Sequence, residues 1–407
     1  MARVLIEFFD TDNLNNCISQ LHADYERVIY FYFPEMRTPE TEILFKSLIQ
    51  FNKRIVGVEP EFICVDAAGT ERLGEIYDRM ISILNDTDTF EMDITGGPRE
   101  FTATAGMVLN SEYGLGENDV SIHAYDLLSG ECRLIYPPAE VAPQKYSLSV
   151  REIISLRGAA ILPGIKYKHD LSRGGLENAV MELWKIVKED VSEWNSFCGL
   201  SQRNEKRMGI YYVAKELKEN TESRFSGLIE KLRKSGIIGA PLKVYYDGKP
   251  YIEFSLNVAE DAAFLYQKGG TVLEMLVYLA AVRSGAYSDC CVNIIADWDG
   301  VIENFGAETK NEFDVVLSNG RLPFLISCKS TEDVTKEHLY ELQTVADHYG
   351  GTYSVKVLAC SKKVNDAVRE RADNMGIIVL DDIHNCSFDT LVKKIRNLTA
   401  DLKPVIS

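Results

Sequence analysis

The sequence predicts an α/β protein built as three consecutive units, and three observations carry that prediction. Over residues 1–145, β-rich runs alternate with helix-period segments. Over 146–256 the pattern turns helical and then to a hairpin, and over 257–407 strands gather again around two helices. A chain of 407 residues also exceeds what one hydrophobic core serves.

The first unit opens with ARVLIEFF (2–9), RVIYFYF (27–33) and FICVD (62–66), all rich in β-branched and aromatic side chains. Residues 41–51 and 72–84 repeat their apolar positions at helical spacing, which gives the β-α alternation of a parallel sheet. FEMDITGGPREFTATAGMVLN then reads as a strand ending at Thr95, a Gly-Gly turn and a helix with Pro98 in its first turn. SIHAYDLLSGECRLIYP closes the unit as a hairpin around Ser129-Gly130. These elements make a Rossmann-like unit.

In the middle unit, KVYYDGKPYIEF is a hairpin turning at Asp247-Gly248. The preceding SRFSGLIEKLRKSGIIGAP reads as the second helix of a winged-helix-like unit with that hairpin as its wing. Such a unit reads DNA or serves as a connector and dimer contact, and Lys231, Arg233 and Lys234 keep the DNA reading open. The third unit runs from a helix in GGTVLEMLVYLAAV through a strand in DCCVNIIADW to a hairpin in NEFDVVLSNGRLPFLISCKS, its tip at Asn319-Gly320. A helix stopped by Gly350-Gly351 and the strand SVKVLAC follow.

Composition narrows the function. The net charge is −17, and residues 1–145 hold 11 Lys and Arg against 25 Asp and Glu, a net of −14 in that stretch alone. The first unit is therefore unsuited to gripping a long polyanion, and an anionic ligand there must be small and held by local donors. Nine cysteines without a CxxC pair exclude a zinc ribbon, and adjacent Cys290 and Cys291 read as a buried pair. MARVLIEFFD is too short for a signal segment and no 18-residue apolar stretch occurs, so a cytoplasmic protein with no membrane partner is expected.

Chemistry gathers on the third unit. Glu274 lies on its helix, Asp314 on the first hairpin strand, and Lys329 fifteen residues later at the end of the second. Charges inside such apolar runs are expensive unless paired or metal-bound. Hard divalent metals take carboxylate oxygens and activate water toward phosphodiesters, and a lysine nearby neutralises developing charge. A cross-hairpin salt bridge between Asp314 and Lys329, with Glu274 solvated, is the plainer alternative. This helix-Glu, strand-Asp, strand-Lys order resembles the PD-(D/E)xK nucleases, whose two strands diverge to set polar residues at one end of the sheet. The resemblance implies catalytic Glu274, Asp314 and Lys329 and a divalent metal, Mn2+ or Mg2+, on Glu274, Asp314 and the backbone carbonyl of Cys328. The departure is Ser327, which stands where the pattern has an acid; Glu312 is the candidate replacement. Trp298, between Asp297 and Asp299, reads as a turn residue, and His338 and His348 as surface histidines.

On the first unit, DITGGPRE ends a strand with two glycines and a helix start. Unpaired N–H groups, the Thr95 hydroxyl and the Arg99 fork suit a phosphate, with a plain strand-to-helix turn as the alternative. DTDNLNN, after the first strand, offers Thr11, Asn13, Asn15 and Asn16 at the same sheet edge. In that domain order, DITGGPRE, KGGTVLEMLVY and NEFDVVLSNGRLPFLISCKS together resemble the CRISPR-associated CARF-domain nucleases. The resemblance implies a homodimer, a cyclic oligoadenylate activator, chiefly cyclic tetra-adenylate, and a nucleic-acid substrate, single-stranded RNA or DNA or duplex DNA. It implies contacts from the loop after the first strand and from Thr95, Gly96, Gly97 and Arg99, with the middle unit transmitting activation. A messenger-responsive transcription regulator with an inactive nuclease fold is the alternative.

Overall fold

The computed structural model describes residues 2–85, 87–111, 119–138, 143–163, 168–169, 175–218, 221–258, 260–298, 310–331 and 333–400. Its strands form three sheets. The first runs in the order β3-β2-β1-β4-β5-β6, from β1 (Arg3–Phe8), β2 (Arg27–Tyr32), β3 (Glu61–Cys64), β4 (Thr89–Asp93), β5 (Asp119–Tyr125) and β6 (Cys132–Tyr136). All neighbours are parallel except β5 and β6, which form the expected hairpin. The order reverses between β1 and β4, so the loops leaving those two strands meet at a crevice on the carboxyl edge. Helices α1 (Glu42–Phe51), α2 (Arg72–Ile81) and α3 (Arg99–Leu109) cover its faces. Strand β4 stops at Asp93, two residues before the expected end.

The middle sheet differs from the sequence expectation. After α4 (Val150–Leu156), α5 (Gly175–Val187) and α6 (Val191–Cys198), a hairpin of β8 (Gln202–Arg207) and β9 (Ile210–Glu216) precedes α7 (Thr221–Arg224) and α8 (Ser226–Lys234). This hairpin joins the expected one, β10 (Leu242–Tyr246) and β11 (Lys249–Leu256), in the order β10-β11-β9-β8. Strand β8 is QRNEKR, without one apolar residue. It is a strand because β9 pairs along all six of its residues, a tertiary fact that hydrophobic periodicity cannot report. The basic cluster on α8 is paired in part: Lys231 lies 2.7 Å from Glu189 and Arg233 2.7 Å from Glu230. Lys234 also reaches Glu230, at 3.5 Å, so three exposed cations share two acids.

The third sheet runs β16-β15-β14-β13-β12-β7. Its members are β7 (Ala160–Ile161), β12 (Asp289–Asp297), β13 (Lys310–Ser318), β14 (Pro323–Lys329), β15 (Val355–Cys360) and β16 (Ile377–Leu380). Strand β7 comes from the stretch the sequence assigned to the middle unit. Between β13 and β14 the loop is four residues, Asn319 to Leu322, rather than a two-residue turn, and Gly320 sits at φ +95°. Three further helices pack on this sheet, α9 (Thr271–Ser284), α10 (Lys336–Tyr349) and α11 (Asp366–Asn374), and α12 (Phe388–Asn397) packs on α9. Helix α9 is apolar on almost every side and largely buried, and its one carboxylate, Glu274, is only partly exposed. No helix among the described residues is long and apolar enough to cross a membrane.

Candidate functional site

The β13–β14 ladder pairs Ser318 with Pro323, Leu317 with Phe324, Val316 with Leu325 and Val315 with Ile326, and stops there. The next residues are Asp314 and Ser327. Where the strands part, the freed N–H of Cys328 donates to Asp314 Oδ2 at 2.6 Å, and the Ser327 hydroxyl lies 3.4 Å from the same oxygen. In an extended strand the N–H and C=O of one residue face the same neighbour. The Cys328 carbonyl therefore opens into the gap beside Asp314.

The other side of β13 is interrupted at the same level. Strands β12 and β13 pair on both sides of Asn293 and Asp314 but not at them, and Asn293 holds φ +52°, a left-handed backbone that asparagine tolerates. Val292 and Val315 pack in the cluster with α9, whereas Ile294 and Phe313, two residues on, pack in the cluster with α10. Side-chain alternation breaks at this level, which sets Asp314 at a break in the sheet rather than in a regular strand.

A small open cleft of about 60 Å³ lies at this break, lined by Glu312, Asp314, Ser327, Lys329 and Glu341 over an apolar floor that includes Leu342 and Val345. Lys329 Nζ is 3.4 Å from Glu341 Oε2 on α10. Glu312, the candidate replacement for the missing acid, is half-exposed and engaged by Lys268 at 3.0 Å. Glu274 does not line the cleft; its Oε1 lies over Gly270, one turn before it, 2.9 Å from where a Cβ there would stand. Burial, reinforced by Asp314 and Glu312, pushes the Glu274 carboxyl up to about 8. Burial also raises Asp314, against the Cys328 N–H and Lys329, which both lower it. Two partly buried carboxyls close together, each disfavoured as an anion, form a site where a cation would relieve the repulsion. Among the described residues no three His, Cys, Asp or Glu side chains are grouped to hold a metal ion. A metal here would rest on Asp314, Glu274, the Cys328 carbonyl and water.

The middle unit reaches the same place. Asn195 on α6 donates its amide to the Ser330 carbonyl, next to Lys329, and Trp194 Nε1 donates to the Gly269 carbonyl at 3.2 Å, just before the helix of Glu274. No local pattern marks Asn195 or Glu341. Trp298 stacks on His348, and Asp299 lies outside the described residues. His348 is therefore a packed residue, not a surface one, and Cys290 and Cys291 are free thiols.

On the first unit, the β1 loop and the TGG turn do meet at one edge, and Asp10 joins them. Its Oδ2 accepts the Gly97 N–H at 3.0 Å and its Oδ1 the Asp12 N–H at 2.7 Å. Gly97 is required twice, for φ +86° and because a Cβ would lie 2.5 Å from that of Phe8. The expectation for two asparagines is corrected. Asn13 and Asn16 are fully buried: Asn13 donates to the Leu156 carbonyl at 2.8 Å and Asn16 to the Asp10 carbonyl at 2.7 Å, so their amides shape the loop instead of facing a ligand. Asn15 is also buried, against Gly96. The Thr95 hydroxyl accepts the Tyr125 N–H at 2.9 Å. Thr11 and Arg99 are exposed, and Gly96 and Gly97 are partly so, at the start of α3, where no side chain caps the helix. The Asp-x-Asp spacing in DTDNLNN, which favours side-chain-to-backbone turns, was the signal for the role of Asp10.

No protein-family model matches the chain, and no curated protein matches it. Among solved structures, protein VC1899 from Vibrio cholerae shares the fold over 98% of both chains, with a TM-score of 0.73 and 15% identity. Can2 from Sulfobacillus thermosulfidooxidans, whose structure is a complex with cyclic tetra-adenylate, is similar over 97% of this chain and 99% of its own, with a TM-score of 0.65 and 16% identity. The likeness at these identities is one of fold, along nearly the whole chain.

Proposed function

We propose that this protein is a nuclease of type III CRISPR defence, dependent on Mn2+ or Mg2+ and switched on by a cyclic oligoadenylate, cyclic tetra-adenylate by preference. The observation that carries the reading is the opened hairpin end, where partly buried Asp314 and Glu274 share one region with Lys329. Asp314, Glu274 and the Cys328 carbonyl would hold the metal, which supplies charge stabilisation and an acidified water. Lys329 neutralises charge on the phosphate being cleaved. At the first edge, Thr11, Gly96, Arg99 and the start of α3 form a small set of donors beside the Gly97 turn on an otherwise acidic unit, suited to a compact polyphosphate and not to a long strand. The likeness in fold to Can2, bound to cyclic tetra-adenylate, supports the choice of ligand. A homodimer would present a cyclic ligand of even order with two equal faces.

The test is cleavage of single-stranded RNA, single-stranded DNA and supercoiled DNA, each with and without cyclic tetra-adenylate and with Mn2+, Mg2+ or chelator. Cleavage that needs both messenger and metal is expected; equal rates without messenger would sink the switch. Ser327 favours the second reading, a messenger-responsive transcription regulator with a silent nuclease fold. Absence of cleavage on every substrate, with sequence-specific DNA binding in its place, would establish that one.

A further inference from the structure

We infer that the messenger edge acts on the cleft directly through helix α10 of the same chain, by way of Asp12, and not through the middle sheet. This rests on the function proposed above and names how that site is regulated. A continuous set of polar contacts leads from one to the other. Gly97 of the TGG turn donates to Asp10, and Asp10 accepts the Asp12 N–H. Asp12 is buried, with 7% of its surface exposed, and its carboxylate points across to the third unit. Its Oδ2 accepts the Thr352 N–H at 3.0 Å, and its Oδ1 forms an ion pair with Arg157 Nη1 at 3.2 Å. Arg157 Nε in turn donates to the carbonyl of His348, in the last turn of α10, at 3.3 Å.

The seat is tight. Gly351, at φ +69°, would place a Cβ 2.6 Å from Asp12 Oδ2 and 2.8 Å from Arg157 Nη1, so the carboxylate and the guanidinium both lie directly against the turn that ends α10. Helix α10 has 14 residues and spans about 21 Å, short enough to move as one rod. Near its middle, Glu341, Leu342 and Val345 wall the cleft, and Glu341 holds Lys329. A ligand that draws on the TGG turn or on Asp10 therefore displaces Asp12, tilts α10 from its C-terminal end and changes the hold of Glu341 on Lys329. The ligand drives this by binding the tilted arrangement more tightly than the resting one. The middle unit reaches the site separately, through Asn195.

Hydrogen exchange of the full-length protein decides it, with Asp12→Ala and Arg157→Gln beside the wild type. Without messenger, amides over residues 345–352 should exchange at least tenfold faster in Asp12→Ala, while peptides of β8 and β9 stay unchanged. With cyclic tetra-adenylate, Arg157→Gln should bind within threefold of wild type yet show a cleavage rate with messenger within twofold of its rate without. Wild-type exchange over 345–352 in both variants, or full activation of Arg157→Gln, overturns the inference. If the wild type neither binds messenger nor cleaves, the proposed function falls, and the messenger-free exchange still decides whether Asp12 holds α10.

Discussion

The two sheet edges that carry polar residues in this protein are built on opposite principles. At the first, nearly every polar side chain is spent inside the protein: Asn13 and Asn16 on carbonyls, Asp10 on two N–H groups, Thr95 on Tyr125. At the other, the ladder opens at Asp314, the acids are disfavoured as anions, and Lys329 faces a cleft. Satisfied groups fix a shape that a ligand meets chiefly with backbone. Carboxyls crowded together and disfavoured as anions favour a counter-ion. A polar loop is thus not a ligand site because it is polar; what its atoms already bond decides.

The sharpest way to break this comparison is Asp314→Ala. It removes the carboxylate at the break and should lower cleavage about 1,000-fold, about 4 kcal/mol of barrier, with messenger affinity unchanged. A fully active variant ends the assignment. Gly97→Ala tests the other edge, where shape is everything: strain and overlap with Phe8 should cost about 3 kcal/mol, read as a lowered urea midpoint together with weakened messenger binding.

Metal comes next. At one hundred times its Kd, Mn2+ should stabilise the wild type by about 2.7 kcal/mol, seen as a raised Tm, and Glu274→Gln should lose most of that gain. An equal rise in Glu274→Gln removes Glu274 from the site.

The first unit offers a pH test of its own. Burial pushes the Asp93 carboxyl up to about 6 from an ordinary 3.8, against the Ser19 hydroxyl and the Thr95 N–H and hydroxyl, which hold it down. The folded state then binds its proton more tightly than the unfolded state, so this group's contribution to stability falls as pH rises from about 3.8 to 6. Asp93→Asn should gain stability relative to wild type across that window and hold the difference above it, measured by urea unfolding at pH 4 and pH 7. The smallest effect is Ser327→Ala: its hydroxyl is 3.4 Å from Asp314 and contributes little, so cleavage should stay within about threefold. A large loss would make Ser327 part of the chemistry after all.

Local pattern is enough to specify the α/β alternation of the first unit, the helix of Glu274, and the hairpin bearing Asp314 and Lys329. Each is written in local periodicity, turn residues and β-branched runs, which act over a few residues. The tertiary structure alone decided that QRNEKR is a strand, that Asn13 and Asn16 turn inward, and that β13 and β14 part at Asp314. It alone set Glu341 on Lys329 and Asp12 on the end of α10. Those contacts join residues 12 to 340 positions apart in the chain, and their energies come from burial and from partners that no local pattern names.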